Sequence, residues 1–478
     1  MVHYSVDFNH IKGKIKPMHA IGQPPFSSGF LSFDFSYMDY LRRAHIPYSR
    51  LHDVGGPFGG NRFVDIPNLF RDFNADENDP ESYDFAFTDV LLEALAAYGV
   101  EPIFRLGVTI ENQAHVKAYR INPPKDPAKW ARICEHVVRH YNEGWANGYH
   151  YNITYWEIWN EPENGLPGKN QCWTGTKEQL YELYDVTAKH LKSCFGDKIK
   201  VGGYGASGMY GIYYHPERFG LTGVPAREPD DRYEQDLYRI EFFNGFLEYI
   251  AEHRSPIDFF SWHSYANLKK TLHIAEYIDR RLNDYGLTDI ETHCNEWNNA
   301  QERALIGTSY AAAMTAATFM GFHATRTNIM CYYDMKLAGS NYAGCFDHLD
   351  LHPLATYYAF AAFGELYALG GHAAHTVSGD SNGLYALAAT DGERKAMLIS
   401  NVSEEKKEIT TDLGEGFKVY LIDSEHMLDA TELSADTFTA EPNQVFLICN
   451  YEAEAASIST SQREVLYVSD NGVKARPN

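Results

Sequence analysis

The sequence predicts a (β/α)8 barrel that carries a small accessory β-sandwich, and two observations predict it. Between about residue 16 and about residue 355, eight short β-rich runs alternate with amphipathic helical stretches. That alternation implies parallel strands joined by crossover helices, and eight such units close a barrel. Beyond about residue 360 the helical stretches stop and short strand-like runs follow one another closely, the texture of a sandwich. An open doubly wound sheet is the alternative, but no glycine-rich phosphate turn follows any of the strands.

Barrel strands are expected at residues 19–22, 48–52, 101–105, 154–160, 199–203, 259–263, 291–296 and 329–333. Helices are expected at 34–44, 87–98, 127–141, 177–194, 241–253 and 274–285. Asp126-Pro127 supplies a cap followed by proline in the first turn, and Thr176 with Gln179 has capping-box spacing. Leu180, Leu183, Tyr184 and Leu191 form the core-facing stripe of the helix that follows. The alanine-rich run 310–322 falls short of a membrane span and reads as a packed helix.

In the sandwich, strands are expected at 384–388, 396–400, 419–422 and 445–448, separated by turns such as Thr390-Asp391-Gly392. The run 2–7 is a candidate to complete it from the N-terminal side. The expected organisation is a catalytic barrel over 16–360, a β-sandwich over 361–453 with 1–15 as a candidate addition, and a polar tail over 454–478.

Composition narrows the partners. The 478 residues carry a net charge of −23, which argues against nucleic acid, an anionic membrane face and a polyanionic substrate; a neutral ligand is the natural inference. Aromatic residues make up 14% of the chain, 34 of them Tyr, and aromatic faces serve large cores as well as sugar clefts. The first sixteen residues are polar, without an apolar run of signal-peptide length. The seven cysteines are scattered and include no C-x-x-C pair, so a reduced cytoplasmic protein is expected. A homo-oligomer is compatible with the sequence.

Two of the expected strands end in glutamate. The fourth runs Tyr155-Trp156-Glu157-Ile158-Trp159-Asn160-Glu161-Pro162, and the seventh runs Glu291-Thr292-His293-Cys294-Asn295-Glu296-Trp297-Asn298. Proline cannot continue a ladder, so Glu161 stands at the rim. Strands four and seven face each other across an eight-stranded barrel, so both carboxyl groups can converge over its C-terminal mouth. Two converging carboxyls are what glycosidic cleavage needs, one to protonate the departing oxygen and one to attack the anomeric carbon.

The motif Trp156-Glu157-Ile158-Trp159-Asn160-Glu161-Pro162 resembles the acid/base motif of the retaining glycosidase clan whose glutamates lie on strands four and seven. Within that clan the chain most resembles glycoside hydrolase family 39, which includes β-xylosidases and α-L-iduronidases. The resemblance implies Glu161 as general acid/base and Glu296 as nucleophile. Arg50-Leu51-His52 matches an Arg-x-His ending strand two, and His263-Ser264-Tyr265 matches a His-x-Tyr ending strand six. On that likeness His52, Asn160, His263 and Tyr265 would contact the sugar, and His263 and Tyr265 the nucleophile. Arg50 would hold Glu296, or alternatively pair with Glu157 inside the barrel. The implied activity is double displacement on an oligosaccharide or glycoside, exo-acting on a xylose- or arabinose-type plant substrate. In this scheme the charge of Glu296 helps to keep Glu161 protonated.

The chain departs from the family's β-xylosidases in two segments. After strand eight it has Cys331-Tyr332-Tyr333-Asp334-Met335-Lys336, and the insert 55–79 carries Gly55-Gly56-Pro57 and Gly59-Gly60-Asn61. Both segments would line the glycone pocket, so the sugar stays open. Asp334, Glu111 and Asn112 are candidate substrate contacts.

Asp347-His348-Leu349-Asp350-Leu351-His352 has the residue types of a metal cluster but reads as a solvated loop. Cys294 is expected to pack below Glu296 on the same strand face. Two other function classes stay open, a sugar-binding protein without catalysis and a metal-dependent barrel hydrolase. The intact glutamate pair disfavours the first, and the absence of His-x-His on any strand disfavours the second. No metal and no cofactor is expected.

Overall fold

A computed structural model of the chain describes residues 1–28, 33–56, 62–109, 121–170, 172–300, 302–337, 342 and 344–456. Eight parallel strands close a barrel: Ala20–Gly22, Tyr48–Arg50, Glu101–Leu106, Tyr155–Ile158, Lys200–Ala206, Phe259–Ser264, Glu291–Trp297 and Ile329–Tyr332. They are called barrel strands one to eight below. The sequence-derived strands and the observed ones coincide to within a few residues. No helix among the described residues is long and apolar enough to cross a membrane.

The chain divides into two compact units. One comprises 26–35 and 48–297, with barrel strands two to seven; the other comprises 1–25, 36–47 and 298–478, with strands one and eight.

In the first unit, alternation along the strands sorts side chains between a polar barrel interior and an apolar outer shell. Phe104 and Trp156 stack outside the barrel, 5.0 Å between ring centroids, and Phe104 meets Tyr141 of the helix Pro127–Glu143. Arg50, Arg105, Glu157, Ser261 and Asn295 are all buried, and Arg50 and Asn295 meet on Glu157 inside the barrel. The helix starts follow the local sequence. Asp126 accepts from Lys129 N ahead of Pro127, and both hydrogen bonds of the Thr176/Gln179 capping box are made at the start of Lys177–Phe195.

Three helices differ from their sequence-derived bounds. The stretch expected at 34–44 forms a helix only over Asp39–Arg43, because Phe33 and Phe35 are drawn into an aromatic cluster with Phe26 and Phe87. The helix expected at 241–253 begins earlier, spanning Tyr233–His253. The helix expected at 274–285 spans Leu268–Asp284, because Asn267 caps it by accepting from Lys270 N.

The second unit is built on a nine-stranded sheet. Its order is Met427–Thr431, Lys418–Ile422, Val445–Cys449, Lys395–Asn401, Leu384–Thr390, Gly371–Gly379, Val2–Lys14, Lys407–Thr411 and Thr437–Ala440. Along Lys395–Asn401, Met397 and Ile399 enter a cluster with Val2, Tyr4, Val419, Phe438 and Phe446. Strands from both ends of the order share that cluster, so the sheet curls over to enclose it. Ser400, on the other face, donates to Ala313 O of the helix Ser309–His323 at 2.8 Å. That helix is buried along almost its whole length, as its alanine content anticipates. Of the expected tail, residues 457–478 lie outside the described residues.

Candidate active site

The C-terminal ends of barrel strands two, four, six and seven bring their polar side chains together. Arg50 lies at the centre, itself 1% exposed. Its Nε donates to Glu157 Oε2 at 2.7 Å, its Nη1 to Glu296 Oε2 at 2.9 Å and its Nη2 to Asn160 Oδ1 at 2.6 Å. The two roles weighed for Arg50 are therefore filled at once, because a planar guanidinium offers donors in several directions. Tyr265 OH donates to the other oxygen of Glu296, Oε1, at 2.6 Å. One oxygen of Glu161, one of Glu296 and a ring nitrogen of His263 lie within 4.8 Å of one another.

Two backbone irregularities aim the glutamates. In strand seven, Asn295 Nδ2 donates to Glu157 Oε1 at 2.6 Å, while the next residue, Glu296, meets Arg50 of the same cluster. Consecutive side chains cannot share a face of a regular strand. A register shift resolves this, pairing Trp262 with Cys294 and His263 with Glu296, a bulge of the kind found beside active sites. Cys294 consequently does not sit beneath Glu296 on the same face, as strict alternation would have it; Asn295 takes the interior position.

After strand four, Trp159 and Glu161 adopt positive φ, 71° and 44°, conformations that L side chains seldom take. Trp159 is locked by its Nε1 donating to Cys172 O at 3.0 Å and by packing on Trp130 and Trp173. Glu161 N donates to Gly205 O at 2.9 Å.

Glu161 has donors at both oxygens. His263 Nδ1 is 2.8 Å from Oε1, and Asn164 Nδ2 donates to Oε2 at 2.6 Å. Burial alone would raise the carboxyl pKa, but the hydrogen bond and charge of His263, with smaller help from Arg239 and His52, pull it below its ordinary value. His263 shifts the opposite way. Burial would lower it, and the charge of Glu296 and the bond to Glu161 raise it. His263 lies between the two carboxylates, its Nδ1 2.8 Å from Glu161 Oε1 and 3.7 Å from Glu296 Oε2.

His52 is buried, with Nε2 3.3 Å from Asp53 Oδ2. Asp334 is buried in the other unit, where its Oδ1 accepts from Lys336 N at 3.2 Å. Glu111, Asn112 and the Gly59-Gly60-Asn61 part of the insert lie outside the described residues. Asp347, Asp350 and His352 do cluster, with Asp350 and His352 joined directly.

A family profile described as glycosyl hydrolases family 39 matches residues 63–400, well over half of the chain. The chain belongs to glycosyl hydrolases family 39. A β-xylosidase from Geobacillus stearothermophilus is 24% identical over 264 residues. That alignment covers 53% of this chain and 44% of the xylosidase, so the match spans less than half of that relative's length.

Solved structures show the same fold. A glucosidase from Croceicoccus marinus superposes with a TM-score of 0.71 at 22% identity, covering 94% of this chain and 98% of that one. A family 39 β-xylosidase from Caulobacter crescentus gives 0.64 at 14% identity, with 94% and 99% covered. A family 51 α-L-arabinofuranosidase from Bifidobacterium longum gives 0.58 at 13%, again with 94% and 99% covered.

Several polar groups of this family 39 site escaped the motif search. Asn164 and Arg239 are linked, Arg239 Nη2 donating to Asn164 Oδ1 at 2.8 Å. Tyr210 OH accepts from Tyr265 N at 2.7 Å. Glu163 is fully buried, and burial together with the charge of Glu161 lifts its carboxyl to about 7 despite the hydrogen bond it accepts from Ser207 N. A second acidic residue two positions beyond Glu161 was the signal available for Glu163; only the fold reveals the others.

Proposed function

We propose that the chain is a retaining glycoside hydrolase, with Glu296 as nucleophile and Glu161 as general acid/base. The observation that carries this is the separation of the two carboxyls. An oxygen of each carboxyl within 4.8 Å of the other favours the gap of about 5–5.5 Å used for direct attack over the about 6.5–9.5 Å that an inverting enzyme uses to admit a water.

The steps follow from the contacts. Arg50 and Tyr265 grip the two oxygens of Glu296, so its carboxylate is fixed for attack at the anomeric carbon. As that bond forms, the bond to the leaving oxygen breaks, and the proton shared by His263 and Glu161 passes through Glu161 to the leaving group. Esterification removes the negative charge of Glu296, one of the influences that raises the pKa of His263. Glu161, now a carboxylate, then takes a proton from water as the water oxygen bonds to the anomeric carbon and the C–O bond to Glu296 breaks, releasing its carboxylate. In this reading Asn160, held by Arg50, would contact the sugar hydroxyl next to the reacting carbon, and His52 the glycone.

The overall charge of −23 favours a neutral glycone, and the β-xylosidases and arabinofuranosidase among the similar proteins support a xylose- or arabinose-type sugar. The trio Glu161, His263 and Glu296 also has the residue types of a metal site. The guanidinium on Glu296 opposes a divalent cation there, so a chelator should leave turnover unchanged.

The test is a panel of aryl glycosides that differ only in the glycone. Glu296→Ala should abolish turnover of all of them. Glu161→Ala should still release dinitrophenolate and accumulate the glycosyl-enzyme, and azide should restore turnover with retained configuration. A first-formed product of inverted configuration from the unaltered enzyme, seen by NMR, would rule the mechanism out.

A further inference from the structure

The two oxygens of Glu161 have different surroundings. Oε1 meets His263 Nδ1, which is also 3.7 Å from Glu296 Oε2, so Oε1 lies on the side where the glycosidic bond would break. Oε2 is held by Asn164. The two ends of an amide look alike in shape, and its orientation must be settled by its partners. Here Arg239 settles it. A guanidinium can only donate, so the Asn164 atom that receives Arg239 Nη2 at 2.8 Å is Oδ1. The end that meets Glu161 must then be the NH2 group.

Arg239 is fixed in turn by the buried Asp236, whose Oδ1 accepts from Nη1 at 2.9 Å, and its guanidinium lies 6.0 Å from the centre of the Tyr210 ring.

We propose that Asn164, oriented by Arg239, is a positioning residue that reserves Oε2 of Glu161 as a pure acceptor and confines the transferable proton to Oε1, between His263 and the leaving oxygen. The proposal rests on Glu161 being the acid/base. In the first step His263 Nδ1–H gives its proton to Oε1 as Oε1 gives one to the leaving oxygen. The C–O bond to the leaving group breaks while the bond to Glu296 forms. In the second step the water oxygen bonds to the anomeric carbon as its bond to Glu296 breaks, Oε1 takes the water's proton, and the His263–Glu161 pair regains it. Without the lock, the proton also populates Oε2, which faces away from the reacting bond.

The charged and titratable groups around Glu161 include His263, Glu296, His52, Arg50, Arg239, Glu163, Cys172 and Tyr210. Removing the amide donor leaves all of them in place and takes one charge-assisted hydrogen bond from the ionised carboxylate. The acid form then persists to higher pH. The alkaline limb of kcat/KM, which falls as the acid is lost, should move up by about one unit in Asn164→Ala. In the same variant, kcat/KM for a glycoside with a poor leaving group should fall about tenfold, while a dinitrophenyl glycoside, which needs no proton, should hold its rate.

Asn164→Asp keeps the acceptor for Arg239 but sets a carboxylate against Glu161, and should move the limb further in the same direction. Arg239→Gln, able to donate or accept, should behave like Asn164→Ala; Arg239→Lys, a donor only, should stay close to the unaltered enzyme. Equal losses on good and poor leaving groups with an unmoved pH limb would reduce Asn164 to a structural part and overturn the proposal alone. An unaltered chain inert toward every glycone would instead remove the acid/base assignment, and this proposal with it.

Discussion

Arg50 joins three acceptors that no other cationic side chain could serve together. Its fork reaches Glu157, Glu296 and Asn160 from one buried position, and lysine, a compact point charge, cannot reproduce that geometry. Arg50→Ala should cost about 3–5 kcal/mol of stability, because it strands the fully buried Glu157 carboxylate without its counter-charge. Turnover should be lost as well. Thermal denaturation of the variant checks the first claim, and an unaltered midpoint would show that Glu157 needs no partner. At this scale, the members of the polar cluster legible in the sequence were those set by strand ends, namely Arg50, Asn160, Glu161, His263, Tyr265 and Glu296. What stayed hidden depended on tertiary geometry: Arg239 lies 75 residues from Asn164, and the bulge that turns Glu296 inward has no residue signature of its own.

Barrel strands were legible as elements because a strand buried on both faces reads as an apolar run bounded by turns, whereas helix starts depended on caps. The helix beginning at Tyr233 lacks a side-chain cap. Its first two turns, which carry Asp236 and Arg239, fell outside the expected span for that reason. The start of strand seven carries a further electrostatic device. Glu291 accepts from Tyr155 OH at 3.0 Å, faces His293 Nε2 at 2.9 Å and pairs with Lys200. Burial would raise its carboxyl, but these partners take it from an ordinary 4.5 down to about 2. A depressed folded-state pKa adds stability that is fully present above the unfolded value and is lost as pH falls through the folded one. Stability should therefore decline between about pH 4.5 and about pH 2. Denaturant unfolding across that window should show a shallower decline in Glu291→Gln; parallel curves for the two proteins would mean that other carboxylates carry the loss.

At the scale of the whole chain, the nine-stranded sheet depends on its earliest segment. Val2–Lys14 runs antiparallel to Gly371–Gly379 and parallel to Lys407–Thr411, with Val2 opposite Gly379 on one side and Ile409 on the other. The sequence flagged the run 2–7 only as a candidate for the sheet, since pairing across nearly four hundred positions leaves no local trace. Four strands of the sheet, Gly371–Gly379, Lys407–Thr411, Met427–Thr431 and Thr437–Ala440, went unrecognised because they are short or half-exposed and lack a sustained apolar run. Without Val2–Lys14 the order would separate into a six-stranded part and a two-stranded part. Two strand edges would open, and the places of Val2 and Tyr4, 1% and 2% exposed, would be left in the cluster the sheet encloses. Unpaired edges promote association between chains, and a void in a packed cluster costs stability. A chain lacking residues 1–14 should therefore give mostly insoluble protein and a lowered melting temperature in the soluble fraction. Ile11→Lys, a change at a position 46% exposed on the same strand, should leave both unaltered. Recovery of the shortened chain as a soluble monomer with an unchanged melting temperature would show that the two parts of the sheet hold together without the strand between them.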